Sequence, residues 1–250
     1  MRKIILFVMI LSGLVQTTSA QETKKEDRFR KNTIHINLTN PLIFGSGSIV
    51  VGYERLLKSK KHSFTINFGI TQFPEFGLFD TDSLKHLSKL KDQKGYNVSA
   101  DYRFYLAKEN KYPAPRGVYI GPYYSYNYFG NNNTWEVKTG AGPTILESEL
   151  KLNVHTIGFE LGYQFIFEDR ISLDMVLLGP GVGAYNFKVA FNNNLSDQAK
   201  EKILEALNGA LSEKFPGYGI IVDEGEFKRT GATNRTTIGY RYMVQLGFRF

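Results

Sequence analysis

The chain of 250 residues contains no cysteine. That excludes a disulfide framework, a thiolate nucleophile, a cysteine-held metal and a lipoprotein attachment point. No apolar run approaches the ~20 residues that a membrane-spanning helix needs, so helical insertion is excluded as well. Histidine occurs four times, and no His or carboxylate spacing matches HExxH or an acid–base pair. Gly179, Gly181 and Gly183 form a GxGxG, but no helix is expected after it to present its N-terminus to a phosphate. The formal charge is +7, yet basic residues do not interleave with aromatics as nucleic-acid modules require. No cofactor and no nucleic-acid partner are expected.

What the chain has in abundance is alternation. At its end Ile238, Tyr240, Tyr242, Val244, Leu246, Phe248 and Phe250 are large and apolar. Between them stand Gly239, Arg241, Met243, Gln245, Gly247 and Arg249, mostly small or charged. A period of two gives a β-strand one greasy and one polar face. Lipid on one side and a polar lumen on the other would satisfy both. Phe64, Ile66, Phe68 and Ile70 repeat the pattern, as do Tyr96 to Leu106, Val118 to Tyr128 and Ile157 to Phe167 on every second residue. Mean hydropathy is slightly polar, as expected when the lipid face occupies alternate positions. The outward sets of the third, fourth, fifth and eighth strands carry no Asp, Glu, Lys or Arg, in a chain that is 22% charged.

These segments read as an all-β, eight-stranded antiparallel up-and-down transmembrane barrel. Strands are expected near 32–40, 48–57, 63–70, 96–106, 118–128, 150–167, 171–191 and 231–250. Connections at 41–47, 74–94, 130–147 and 192–230 fall on one side and shorter turns at 58–62, 107–116 and 168–170 on the other. Long loops outside and short turns in the periplasm is the pattern of bacterial barrels. The early half of the sixth strand (Leu150, Leu152, Val154) runs out of phase with Ile157 onward, predicting a bulge or an extension beyond the membrane. Pro122 and Pro180 cannot donate to a ladder, so each predicts a bulge, or at Pro180 a break. Two loop helices are expected, one capped by Asn194 and one by Asp82 carrying Leu84, Leu87 and Leu90. A soluble lipocalin-like barrel also has eight up-and-down strands. Its interior would be too narrow for this bulky set of side chains, so the large residues belong outside.

The inward set then holds Glu54, Asp101, Arg103, Glu160, Asp174, Arg241 and Arg249. Unpaired buried charge is costly, so a salt-bridge network plugging the lumen is expected, with Tyr105, Tyr119 and Tyr123 filling space; a narrow pore is the alternative. Tyr242, Val244, Leu246, Phe248 and Phe250 look like the C-terminal signal that barrel-assembly machinery reads. His35, His62 and His86 read as polar filler or solvated. His155, on the outward parity, is the one candidate for a lipid-modifying site, but no Ser stands beside it to complete a nucleophile–base pair.

Arg2 and Lys3, the apolar run 4–15 and Thr18-Ser19-Ala20 predict a signal peptide over 1–20. A short charged lead-in over 21–31 and a single barrel domain over 32–250 follow. The phrases NLTNPLIFGSGSIVVGYERLL (from Asn37), DYRFYL (from Asp101) and GVYIGPYYSY (from Gly117) together resemble a Bacteroidetes family of small outer-membrane β-barrels of unknown function. The resemblance implies a Gram-negative outer membrane and brings no catalytic residues. The expectation is a monomeric, non-enzymatic surface or structural protein among outer-membrane lipids, lipopolysaccharide included, whose extracellular ligand the sequence does not name. The rival readings are a lipid A-modifying enzyme and a low-conductance pore.

Overall fold

The computed structural model describes residues 30–72, 84–87, 93–139, 142–191 and 231–250. The expected signal peptide, most of the lead-in and the helix capped by Asn194 lie outside these residues. The strands are β1 (Asn32–Asn37), β2 (Ile49–Leu56), β3 (His62–Ile70), β4 (Leu84–His86), β5 (Gln93–Tyr105), β6 (Gly117–Thr139), β7 (Gly142–Phe167), β8 (Ile171–Leu178), β9 (Pro180–Phe191), β10 (Gly231–Tyr240) and β11 (Met243–Arg249). One helix, α1 (Thr39–Phe44), follows β1. All pairings are antiparallel, and the wall runs β11–β1–β2–β3–β5–β6–β7 before closing through β8 onto β11. β8 with β9 forms one interrupted wall strand and β10 with β11 another, so the barrel has eight strands.

Alternation sets the two faces. β2 and β3 alternate strictly between exposed and buried residues. The exposed set is apolar: Phe64, Ile66, Phe68 and Ile70 on β3, with Ile157, Phe159, Leu161, Phe165 and Phe167 on β7. The buried set opposite is polar, with Ser63, Thr65 and Asn67 on β3 all at most 1% exposed. Facing positions are crowded: a Cβ added at Gly162 would run into the Tyr119 ring, and one at Gly121 into the Tyr102 carbonyl oxygen. Glycine at these sites lets tyrosines and backbone share a narrow interior. Among the described residues no helix is long and apolar enough to cross a membrane.

Four expectations are corrected. Residues 130–139 and 142–147 are not a loop: β6 and β7 pair in unbroken register from Gly117↔Gln164 to Thr139↔Gly142. Gly and Asn there suggested turns, but their neighbours Phe129, Trp135, Leu150 and Leu152 are fully buried inside the extension. The phase change on β7 is therefore no bulge, since β7 keeps register with both β6 and β9 there. Odd residues of β6 from Gly117 to Asn131, and Trp135, are buried or half-buried on the inner side; what inverts is which face is greasy. Near Phe129 and His155 the apolar set passes from the outside to the inside. The helix expected after Asp82 is replaced over Leu84–His86 by a strand that pairs with Val137, Glu136 and Trp135. The first strand ends at Asn37 and not near 40, and α1 takes up its expected end and part of the connection 41–47, its first turn held by Asn37 Oδ1 accepting from the N–H groups of Thr39 and Asn40 at 2.8 and 3.0 Å.

The prolines behave differently from one another. The β5–β6 register is the same on both sides of Pro122, Asp101↔Tyr123 and Phe104↔Ile120, so no residue is inserted and the expected bulge is absent. Pro180 instead begins β9, and a register shift lies just before it, where Leu161 pairs with Leu178 and Gly162 with Val176. Leu177 is thus extra, and both it and Leu178 face outward, 54% and 46% exposed.

Candidate functional site: the buried charge cluster

Five wall segments send ionisable side chains to one level of the lumen. β2 supplies Glu54, β5 Asp101 and Arg103, β7 Glu160, β8 Asp174, and the junction of β10 and β11 supplies Arg241. Arg103 is the hub. Its Nε lies 2.7 Å from Asp101 Oδ2, its Nη1 2.8 Å from Asp174 Oδ2, and Glu160 and Glu54 stand at 3.9 and 3.8 Å. Arg241 bridges Asp101 Oδ1 at 3.1 Å and Glu160 Oε2 at 3.0 Å. Such short charge-assisted contacts are what burial of guanidinium and carboxylate requires, since either alone would be strongly penalised.

Tyrosines and amides complete the cluster. The Tyr119 hydroxyl donates to Asp174 Oδ1 at 2.7 Å while the Arg103 guanidinium sits 4.5 Å over its ring. The Tyr105 hydroxyl lies 2.8 Å from Glu54 Oε1 and 2.5 Å from Gln164 Oε1. Gln164 Nε2 donates to Glu54 Oε2 at 3.0 Å, and His35 Nε2 lies 3.2 Å from the same oxygen. The tyrosines therefore bond to the charges as well as filling space. Tyr123 donates to the Gly179 carbonyl at 2.8 Å and lies under Arg241. On the neighbouring wall Gln245 donates to Asn67 Oδ1 at 2.9 Å, and Asn67 donates to Ser99 at 3.2 Å.

Six of the seven inward charges named from sequence meet in this cluster. Arg249 does not. It turns to the short-turn end, where its guanidinium donates to the carbonyls of Arg30 at 2.9 Å and Asp169 at 3.3 Å. Sequence reasoning missed Gln164 as a member and took His35 for filler. Inward parity alone marked both, and polar residues at inward positions deserved equal weight with charged ones. On β11 Leu246 and Phe248, and next to its two ends Tyr242 and Phe250, face outward, and Val244 is half-buried on the same side.

Outside the lumen, His155 lies against the Tyr126 ring at 4.6 Å, and its Nδ1 is 2.8 Å from the Tyr124 hydroxyl. With Tyr96 and Tyr128, whose ring centroids are 5.2 Å apart, they form an aromatic band at the level where the faces of β6 and β7 invert. The partners of His155 among the described residues are the tyrosines Tyr124 and Tyr126. Among the described residues no group of three or more His, Asp or Glu is placed to hold a metal ion.

The chain is similar to a crystal structure of a major outer membrane protein from Thermus thermophilus, at 12% identity and a TM-score of 0.40. That match covers 89% of this chain and 100% of the other. No protein-family model and no curated protein matches, so the Bacteroidetes resemblance finds no support there.

Proposed function

We propose that the protein is an integral outer-membrane β-barrel with a plugged lumen and a non-enzymatic role, a rigid stake that carries a surface-exposed sheet for interaction. The observation that carries this reading is the sidedness of the wall. Apolar residues cover the outside of the lower barrel, while Glu54, Asp101, Arg103, Glu160 and Asp174 are at most 2% exposed inside it. Water around such a barrel would meet Phe68 at 59% exposure, Phe159 at 70% and Ile238 at 67%, while dry packing enclosed the charges. Hydrocarbon outside reverses the sign of the first term at ~25 cal/mol per Å2 of apolar surface.

The inversion on β6 and β7 supports the same reading. From Ile157 to Phe167 the greasy face is outward, over the ~9–11 residues that a tilted transmembrane strand needs. Beyond His155 the outward residues are Asn153, Lys151 and Glu149, the last two ion-paired at 2.7 Å. There Phe129, Trp135, Leu150 and Leu152 are inside, as a water-exposed sheet demands. An aromatic band at the boundary fits the interfacial girdle of membrane barrels. Partners under this reading are outer-membrane lipids, lipopolysaccharide among them, and the assembly machinery that would read the strand from Tyr242 to Phe250.

A cluster cross-braced from five wall segments leaves ions no wide path, so the lumen does not conduct. The test is twofold. The purified chain should require detergent to stay dispersed, and planar bilayers containing it should show no discrete current steps. A monodisperse detergent-free monomer overturns the membrane reading; reproducible unitary conductance overturns the plug alone.

A further inference from the structure

Just beyond the inversion a row of lysines crosses the outer face of the wall. Lys94 on β5, Gly130 on β6, Lys151 on β7 and Lys188 on β9 are partners in successive ladders, so they form one line across four adjacent strands. The three lysines share the outward parity of Tyr96, His155 and Ala184, and Lys94 and Lys188 are exposed. Strands lie ~4.8 Å apart, so at the backbone Lys94 stands ~10 Å from Lys151, and Lys188 about half as far on its other side. Like charges directly opposite one another destabilise a sheet. Lys151 is offset by Glu149 at 2.7 Å, but the two side chains keep 44% and 47% of their surface exposed, and such a pair contributes little. Lys94 and Lys188 have no ion-pair partner among the described residues. Between Lys94 and Lys151 the Tyr128 side chain leans over Gly130, its hydroxyl 2.8 Å from where an added Cβ would stand. The row therefore presents an excess of positive charge with a phenol among the ammonium groups, donors that suit an oxyanion.

What separates this row from the greasy wall selects the carrier of the anion. Next toward the wall come Tyr96, Tyr128, Asn153 and Asn186, then Tyr126 and His155. Only after these does the greasy line of Ile157, Val182 and Ile238 begin. Acidic outward residues of β6 and β7 (Glu149, Glu147 and Glu136) all lie beyond the lysines, on the side away from the wall. Lys151 precedes Ile157 by six residues on β7. At ~3.4 Å per residue and a tilt of ~40° it stands ~15 Å farther from the membrane centre. A glycerophospholipid carries its phosphate next to the ester-linked chains, at the level of Tyr126 and His155, where no lysine or arginine of these strands faces outward. A phosphorylated sugar acylated on its own ring places the sugar between chains and phosphate. Its hydroxyls then meet the amides of Asn153 and Asn186. Asn153 Oδ1 accepts from the Tyr126 hydroxyl at 2.8 Å, and its NH2 group has no partner among the described residues.

We propose that this row docks the phosphates of an outer-leaflet glycolipid of the lipid A class, a phosphorylated glucosamine disaccharide acylated on its rings. Lys151 and Lys188 hold one phosphate, Lys94 with the Tyr128 hydroxyl the other. The sugars rest on the asparagine and tyrosine line, and the acyl chains run along Ile157, Val182 and Ile238. The site deepens the membrane reading above and rests on it, because the chains need hydrocarbon.

The test is native mass spectrometry of the full chain released from micelles supplied with diphosphoryl lipid A, its phosphatase-treated form or phosphatidylglycerol at equal concentration. A one-to-one adduct of diphosphoryl lipid A is expected, with about tenfold less of either other lipid. Lys188→Gln should lower it about fivefold, and Lys151→Gln with Lys188→Gln more than about tenfold, the worth of one surface cation per lysine. Lys188→Arg should keep the adduct, and Lys108→Gln, in the turn after β5, should leave it unchanged. Retained gel mobility of the unheated barrel certifies that each variant is folded. Equal binding of the phosphatase-treated lipid, or by the double variant, overturns the site and leaves the membrane reading standing. Equal binding of phosphatidylglycerol overturns the choice of a glycolipid, and displacement by inorganic phosphate at the same concentration overturns a lipid as the source. No adduct from a chain that needs detergent overturns the site alone; no adduct from a chain dispersed without detergent overturns both.

Discussion

Arg103→Met is expected to destabilise the barrel by about 3–5 kcal/mol, the cost of removing one partner from a buried ion network. The substitution keeps most of the apolar stem but removes the guanidinium that faces Asp101, Asp174, Glu160 and Glu54 within 3.9 Å. Those carboxylates, each at most 2% exposed, then have only Arg241 among the cluster's guanidiniums. The urea midpoint in detergent micelles should fall by well over a molar unit at the slopes of ~1–3 kcal/mol per M usual for small proteins. The unheated barrel should also lose its compact gel mobility. Adding Asp174→Asn to Arg103→Met should recover part of the loss, because it withdraws one of the charges left unpaired. A single variant as stable as the parent would mean that the lumen is wet enough to solvate these groups, and the plug would have to be abandoned.

Ile66→Arg carries the second large effect. Ile66 is 46% exposed, on the outward face of β3, flanked across the ladders by Tyr53 and Ala100. A guanidinium facing lipid near midplane costs ~2–4 kcal/mol, so folded yield into vesicles should drop and the urea midpoint should fall accordingly. Ile145→Arg provides the contrast. Ile145 is more exposed, at 62%, but belongs to the extension of β7 beyond the inversion. There water solvates the charge, and the effect should stay within ~0.5 kcal/mol, as for ordinary surface positions. If both substitutions are equally mild, the outside of the lower barrel is not in hydrocarbon. If both are equally severe, the boundary near His155 is misplaced.

The architecture was legible because strands carry their own ruler. A period of two, sustained on Phe64–Ile70 and Ile238–Phe250, assigns every side chain to a face without knowledge of its neighbours. Even the parity of the wall follows, since each short turn must be answered by a longer connection. The upper hairpin was lost for a physical reason. Asn131, Asn132 and Asn133 beside Gly130 carry strong turn propensity, and the burial of Phe129, Trp135, Leu150 and Leu152 overrides it. Long-range packing of that kind leaves no local mark. The phase change at Leu150–Ile157 was a clue, readable as an irregular backbone or as a changed solvent; the continuous register removes the irregular backbone.

The charge cluster was legible in membership but not in wiring. Inward parity selected Glu54, Asp101, Arg103, Glu160, Asp174 and Arg241, yet gave Arg249 the same standing. That residue sits at the last turn of the wall, where backbone carbonyls are nearer than carboxylates. Height along the barrel depends on strand stagger, which alternation does not encode. Pro122 and Pro180 looked equivalent, but one is absorbed without a register change and the other sits beside the shift at Leu177.

Because the chain has no native cysteine, single cysteines can report the solvent on each face. Spin labels at Ile66, Phe68 and Ile70, and at Thr65 and Asn67 between them, should be compared in reconstituted bilayers. The outward three should be reached by dissolved oxygen and shielded from a water-borne nickel chelate, while the inward two, packed in the closed lumen, should be immobile and shielded from both. Nickel access at Phe68 equal to that at a water-facing control such as Ile145 would contradict a hydrocarbon-covered wall.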